Sequence, residues 1–319
     1  MREEKDIKER IEALQSQAKT VMSDTAVRVD ERIERVADIY RQAEKMAEGN
    51  GLDDKKYESL LSDSAKFFYE YGMYKDALSR YNRLITLRES LYGQNDPITA
   101  TAYDDIGEVY RNLCNYPKAL EYQIKALDIR KDVLGVNHAK TADSYNDIGL
   151  VYFYQGDYSK ASELILKAKA IREKVVGDNH PDMAESYANI GLLSLKQEDY
   201  AKGLENYSKA LDIYKKTLGS DNRKTGVAYY GVGYAYYGQS NYSDALEYCS
   251  KALAIYEEKC GLKHPETAVV YMGIGYIHDC IGGHTKALNF IELTLHYWRE
   301  RGSQEDPVAK GNDHLGYAR

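Results

Sequence analysis

Residues 141–181 read TADSYNDIGLVYFYQGDYSKASELILKAKAIREKVVGDNHP. In the first part Ala142, Tyr145, Ile148, Gly149 and Tyr152 stand at i, i+3, i+6, i+7 and i+10, one face of a helix with 3.6 residues per turn. The turn Gly156-Asp157 follows. A second apolar stripe then runs through Tyr158, Ala161, Leu164, Ile165, Ala168 and Ile171. This helix stops at Gly177, because glycine takes the left-handed C′ conformation at little cost. His180-Pro181 opens the next one, since proline at the first helical position loses only an N–H that had no partner. The unit is a pair of helices, and neither can bury its apolar face alone.

The unit recurs with a step of 42 residues. Glycines keep that step at Gly107, Gly149, Gly191, Gly233 and Gly275, and again at Gly51, Gly93, Gly135, Gly177, Gly219 and Gly261. Tyrosines keep it in two series, from Tyr103 to Tyr271 and from Tyr74 to Tyr242. Small residues follow at Ala77, Ala119, Ala161, Gly203, Ala245 and Ala287. Periodicity of this length marks a repeat architecture. Full units are expected at 55–92, 97–134, 139–176, 181–218, 223–260 and 265–301, with Leu61 and Ala65 replacing Tyr and Gly in the divergent first one. Small residues such as Gly149 and Ala161 should let paired helices approach to the lower part of the ~8–10 Å interaxial range. Asp306-Pro307 and His314-Leu315-Gly316 restart a unit, so residues 302–319 read as a partial seventh unit or a capping helix.

The signatures Y-x-x-I-G-x-V-Y, G-D-Y-x-K-A and K-A-x-x-I-R-E-K-x-x-G-x-x-H-P resemble the tetratricopeptide repeat, and the long spacing resembles its kinesin-light-chain form. The resemblance spans residues 51–319. It implies an all-α fold, a right-handed superhelical solenoid of antiparallel helix pairs whose first helices line a concave, peptide-receiving groove. Residues 1–50 precede the repeats as a helical extension. Ile7, Ile11, Leu14 and Ala18, and after a slip Met22 to Ala47, alternate spacings of 4 and 3. Such heptads suit either a coiled coil or a cap packed on the first unit. The cap is preferred for 24–48, because Val36 and Ala43 lie 42 residues before Leu78 and Ile85. Residues 1–20 could support weak self-association.

Composition narrows the function. The formal net charge of -7 argues against general nucleic-acid binding. No run approaches the roughly 20 apolar residues of a membrane span. The start lacks the apolar core of a secretory signal, so a cytoplasmic protein is expected. Signatures of phosphate loops, nucleophile elbows and zinc proteases are absent, and an enzyme is not expected. Gly231-Val232-Gly233 and Gly273-Ile274-Gly275 lie inside helical segments with no strand before them, which excludes a dinucleotide loop. His278, Cys280 and His284 lack a fourth ligand, and His138, His180 and His264 read as helix starts; no metal or other cofactor is expected.

The resemblance places the surface that does the work on the groove, at offsets −6, −3, −2, +1, +4 and +5 from the recurring glycine. Peptide-binding candidates at these offsets are Asp104, Asp105, Arg111, Asp143, Asn146, Asp147, Asn189, Lys196, Tyr230, Tyr234, Tyr237 and Tyr276. Asn146 and Asn189 resemble the asparagines with which related domains hold a peptide backbone, an amide being both donor and acceptor. The acids would favour Lys or Arg side chains, and the tyrosines offer amphipathic surface of the kind enriched at interfaces. The expected partner is a protein or extended peptide with basic and apolar or aromatic side chains. Two functions fit: a non-catalytic binding scaffold, or the sensor segment of a larger signalling protein. Of the 31 tyrosines, those on recurring registers read as core wedges, which leaves Tyr230, Tyr234, Tyr237 and Tyr276 as the informative ones.

Overall fold

The computed structural model describes residues 2–49 and 52–301, which form fourteen helices and, among the described residues, no strand. The expectations for Gly51, Asp306-Pro307 and His314-Leu315-Gly316 lie outside the described residues. Helices α1 (Arg2–Ser23) and α2 (Val29–Gly49) form a hairpin. Six pairs follow: α3 (Asp54–Glu70) with α4 (Tyr74–Tyr92), α5 (Pro97–Asn112) with α6 (Tyr116–Val133), and α7 (Ala139–Gln155) with α8 (Tyr158–Val175). The last three are α9 (Pro181–Lys196) with α10 (Tyr200–Thr217), α11 (Arg223–Gly238) with α12 (Tyr242–Lys259), and α13 (Pro265–Cys280) with α14 (His284–Arg301).

Each boundary has a local cause. Asp96, His138, His180, Asn222 and His264 cap α5, α7, α9, α11 and α13 by accepting the backbone N–H two residues on. Thr99, Thr141, Thr225 and Thr267 donate their hydroxyls to the carbonyls of Gly93, Gly135, Gly219 and Gly261 at 2.7–2.8 Å, tying each linking loop to the helix it feeds. The turn inside each pair places one residue in the left-handed region, with φ from 56° at Cys114 to 85° at Gly156, and Glu198 and Ser240 share that strain.

Pairs nest because the recurring glycines lack a Cβ. At Gly149 such an atom would lie 2.9 Å from Ile165 Cγ1 and 3.3 Å from the Ala161 carbonyl oxygen. Buried arginines tie the first half of the stack together at a 42-residue step that the sequence reading passed over. Arg130 of α6 reaches Asp104, the Lys140 carbonyl and Ser144 at 2.7, 3.2 and 2.7 Å. Arg172 of α8 repeats the pattern on Asp143, the Asp182 carbonyl and Ser186 at 2.9, 3.1 and 3.0 Å. The next two positions on this register are Tyr214 and Tyr256, so the interior changes from ionic to aromatic along the stack.

The α1–α2 hairpin adds a layer in front of the first pair. Ile11 and Ala18 of α1 are buried with Val36, Ala43 and Ala47 of α2 and with Leu60 and Leu61 of α3. Of the heptad positions Ile11, Ala18, Val36, Ala43 and Ala47 are buried within the chain, whereas Ala26 is exposed. At the far end of the stack the superhelix returns to its start: Arg223 Nη1 donates to the Glu70 carbonyl at the end of α3 at 2.9 Å, across 153 residues of sequence. His264 Nε2 meets the same carbonyl at 2.9 Å, and Asp30 accepts the Leu262 and Lys263 amides at 3.4 and 3.3 Å. The two ends of the concave side are therefore tied to each other. No described helix is long and apolar enough to cross a membrane.

Candidate functional site

Inside the ring lies a chamber of about 290 Å³. Arg111, Asn112, Leu150, Tyr154, Ala188, Asn189, Leu192, Val227, Tyr230 and Val269 line it, all at the groove offsets from the recurring glycine. Tyr69, Tyr74, Tyr207, Arg223, Tyr256, Glu266 and Val270 complete the lining, and sequence reasoning missed them. Tyr69 and Tyr74 belong to the divergent first unit, where the glycine used as reference is an alanine. Arg223 and Glu266 stand at helix starts, outside the chosen offsets. The chamber combines an apolar body with a few convergent polar groups, the composition of a ligand site. Arg111 Nε is buried there without a hydrogen-bond partner, and its guanidinium lies 5.9 Å from the Tyr154 ring centre.

Several candidates stand in the chamber wall, behind this lining. Asp104 is 8% exposed and held by Arg130. Asn146 is fully buried, donating to Asp147 and Glu185 at 3.3 and 3.1 Å and accepting from Asn189 at 2.7 Å. Asp143 is shared by Arg172 and Lys140 at 2.9 and 3.2 Å. Asp147 is buried in the same cluster. Burial and the neighbouring Glu108 and Asp104 charges push the Asp105 carboxyl up to about 7. Burial likewise raises Asp104, Glu108 and Asp147. At Glu185 burial acts in the same direction, but Lys224 and Arg172 overcome it and hold that carboxyl down at about 2. The wall is a partly compensated ionic network, from which Arg111 and Asn189 reach the chamber.

The tyrosines gather as a second feature beside the chamber. Tyr230, Tyr234, Tyr237 and Tyr276 surround a narrow cleft with Cys249, Gly273 and Ile277. Tyr234 and Tyr237 stack with centroids 5.8 Å apart and 25° between planes. Tyr230 is a buried wedge, 5% exposed, whose hydroxyl donates to the Val269 carbonyl at 3.2 Å, whereas Tyr276 is 38% exposed. Lys196, at the end of α9, is half-buried and is not part of the chamber lining.

His278 stacks on Phe290, and His284 Nδ1 meets Asp279 at 2.9 Å. Cys260, His264 and Glu266 bring their ligand atoms within 4.8 Å of one another. There Nδ1 of His264 accepts the Glu266 amide, Nε2 faces the Glu70 carbonyl, and Glu266 is gripped by Arg223 at 2.7 and 2.9 Å. Both imidazole nitrogens are thus committed, and a guanidinium occupies the carboxylate.

Comparison with known proteins bears on fold. No curated protein matches the chain. A Rap protein complexed with competence and sporulation factor is 15% identical, with 85% of this chain and 71% of that one aligned at a TM-score of 0.65. The apo form of RapI is 16% identical over 85% and 93% of the two chains, at 0.60. BtubC (BKLC) from P. vanneervenii is 18% identical over 76% and 91%, at 0.51. At such identities the likeness is one of architecture. The profile of the tetratricopeptide repeat matches in overlapping copies at residues 57–132, 99–174, 160–216, 182–248 and 225–296. With repeats of 42 residues matched across 57–296, the chain belongs to the tetratricopeptide repeat family.

Proposed function

We propose that the chain is a non-catalytic scaffold that binds a protein or peptide segment in its concave interior. The observation that carries this reading is the chamber, where Arg111, Asn112 and Asn189 converge beside an apolar surface of Leu150, Leu192, Val227 and Val269. Asn189 and Arg111 would meet the partner's backbone or an acceptor group, and Tyr230 would pack against an apolar side chain. Tyr234, Tyr237 and Tyr276 would extend the contact along the neighbouring cleft. Asp104, Asp105, Asp143, Asn146 and Asp147 would act from the wall, setting the potential felt by basic side chains nearer the rim. A Rap protein of this architecture is complexed with competence and sporulation factor, which supports a binding role. Because the first unit and the fifth and sixth units line one chamber, an occupant would touch both ends of the superhelix, which also suits a sensor segment.

The test is an array of fluorescent peptides titrated against wild type, Leu150→Trp, which intrudes on the chamber, and Tyr234→Ala/Tyr237→Ala. Binders should lose affinity at least about tenfold with Leu150→Trp, the scale of losing one buried anchor. If every binder is indifferent to both variants, the partner uses another face.

A further inference from the structure

The chamber lies behind a seam. On one side stand the start of α2 and the end of α3; on the other, the start of α11 and the loop between α12 and α13. Arg223 and His264 both engage the Glu70 carbonyl, at 2.9 Å each. That carbonyl ends α3, where the helix dipole favours donors and cations. Asp30 accepts the Leu262 and Lys263 amides and sits against the bare backbone of Gly261, where a Cβ would come 2.4 Å from Asp30 Oδ1.

This junction is built differently from the stacking of units. Two surface crevices of about 250 and 500 Å³ flank it, the first lined by Asp30, Tyr71 and Cys260, the second by Glu70, Arg223 and Cys260. A contact that is polar and bordered by open crevices opens at lower free energy than the apolar layers on either side of it. Arg223 also lines the chamber and grips Glu266 there, so one guanidinium belongs to both the seam and the site.

We propose that the seam is a latch beside the chamber: closed, it holds the start of the superhelix against the fifth and sixth units, and opened, it widens the way to the concave face for a macromolecular partner. Its consequence for binding rests on the chamber being the binding site, whereas the opening itself does not.

The protein carries its own reporter. Cys260 lines both crevices at 3% exposure, and Cys249 is buried at 1% inside the fifth unit, against Gly233. Burial pushes both thiols up to about 12, so both should react slowly while covered. In a Cys114→Ser/Cys280→Ser background, labelling by DTNB is followed for wild-type seam residues, for Asp30→Ala, and for Asp30→Ala/Arg223→Gln, with the modified cysteine identified by peptide mass. Cys260 should react at least about tenfold faster in the seam variants while Cys249 keeps its rate, as expected for local opening. An unchanged Cys260 rate in both variants overturns the latch. So does a parallel rise at Cys249, because the seam would then be part of global folding. If the double variant does not fold, Asp30→Ala alone decides, since it leaves the chamber lining intact. A latch that opens in a protein that binds no peptide in the array refutes the chamber reading and leaves the latch standing.

Discussion

Replacing Gly231 and Gly275 by alanine, one at a time, should move stability in opposite directions. Alanine is favoured over glycine in a helix interior by about 1 kcal/mol. At Gly275 the new methyl would meet Phe290 Cβ at 3.4 Å and the Ala287 carbonyl oxygen at 3.5 Å, which is ordinary contact. Most of that gain should appear. At Gly231 it would fall 2.3 Å from two ring carbons of Tyr207 and 2.5 Å from a third. Carbon contacts settle at about 3.5–4.0 Å, so the overlap exceeds 1 Å. The ring is 2% exposed and cannot retreat, because its other face lies against Gly191, where a Cβ would stand 2.7 Å away. Overpacking at the upper end of its usual range, about 3 kcal/mol, less the helical gain, leaves a net loss of about 2 kcal/mol. With roughly 2–4 °C per kcal/mol, Gly231→Ala should lower Tm by about 4–8 °C and Gly275→Ala raise it by up to about 2–4 °C. Thermal and urea melts followed by far-UV circular dichroism measure both. Adding Tyr207→Leu to Gly231→Ala should relieve part of the clash. A Gly231→Ala protein that melts at or above wild type would refute the claim that Tyr207 is clamped between two glycines.

Four further outcomes follow from the interior. Arg172→Met removes the guanidinium from Asp143 and Glu185; Lys140 and Lys224 still face these acids, so the loss should lie near the lower end of about 3–5 kcal/mol, read from urea melts. Asp105 binds its proton more tightly folded than unfolded, so the fold should lose stability as pH rises from about 4 to about 7. Asp105→Asn should flatten that part of the curve of stability against pH. Glu185 has the opposite sign: its depressed value contributes stability above about 4.5 that is lost as pH falls toward about 2, and Glu185→Gln should lack this acid limb. Glu198 has a φ of 59°, so Glu198→Gly should gain up to about 1 kcal/mol in the same melts by relieving left-handed backbone strain.

Much of the fold was legible because a packing rule repeats. Gly149 had to be small opposite Ala161, Pro181 could begin a helix without losing a bond, and Gly177 could end one; each requirement is local and recurs every 42 residues. The inward offsets were legible for the same reason, and Arg111, Asn189, Leu150, Val227 and Val269 all line the chamber. Which inward residues reach open space was less legible. Asp104 and Asn146 share those offsets but are consumed by Arg130, Glu185 and Asn189, partners that lie 26, 39 and 43 residues away, and Asp147 accepts from Asn146 beside it. The arginine register at Arg88, Arg130 and Arg172 was a readable signal, since buried arginines need buried acids.

By itself the sequence determined the helix pairs, their order and the face each turns inward, because these follow from contacts between residues at most one unit apart. Only the tertiary structure decided that the two ends of the groove meet around one chamber. The pitch of a superhelix is the sum of small rotations between successive pairs, so a modest difference in each joint moves the far end by a large distance. That sum is what brings Arg223 and His264 to Glu70 and Lys263 to Asp30. No local pattern contains it.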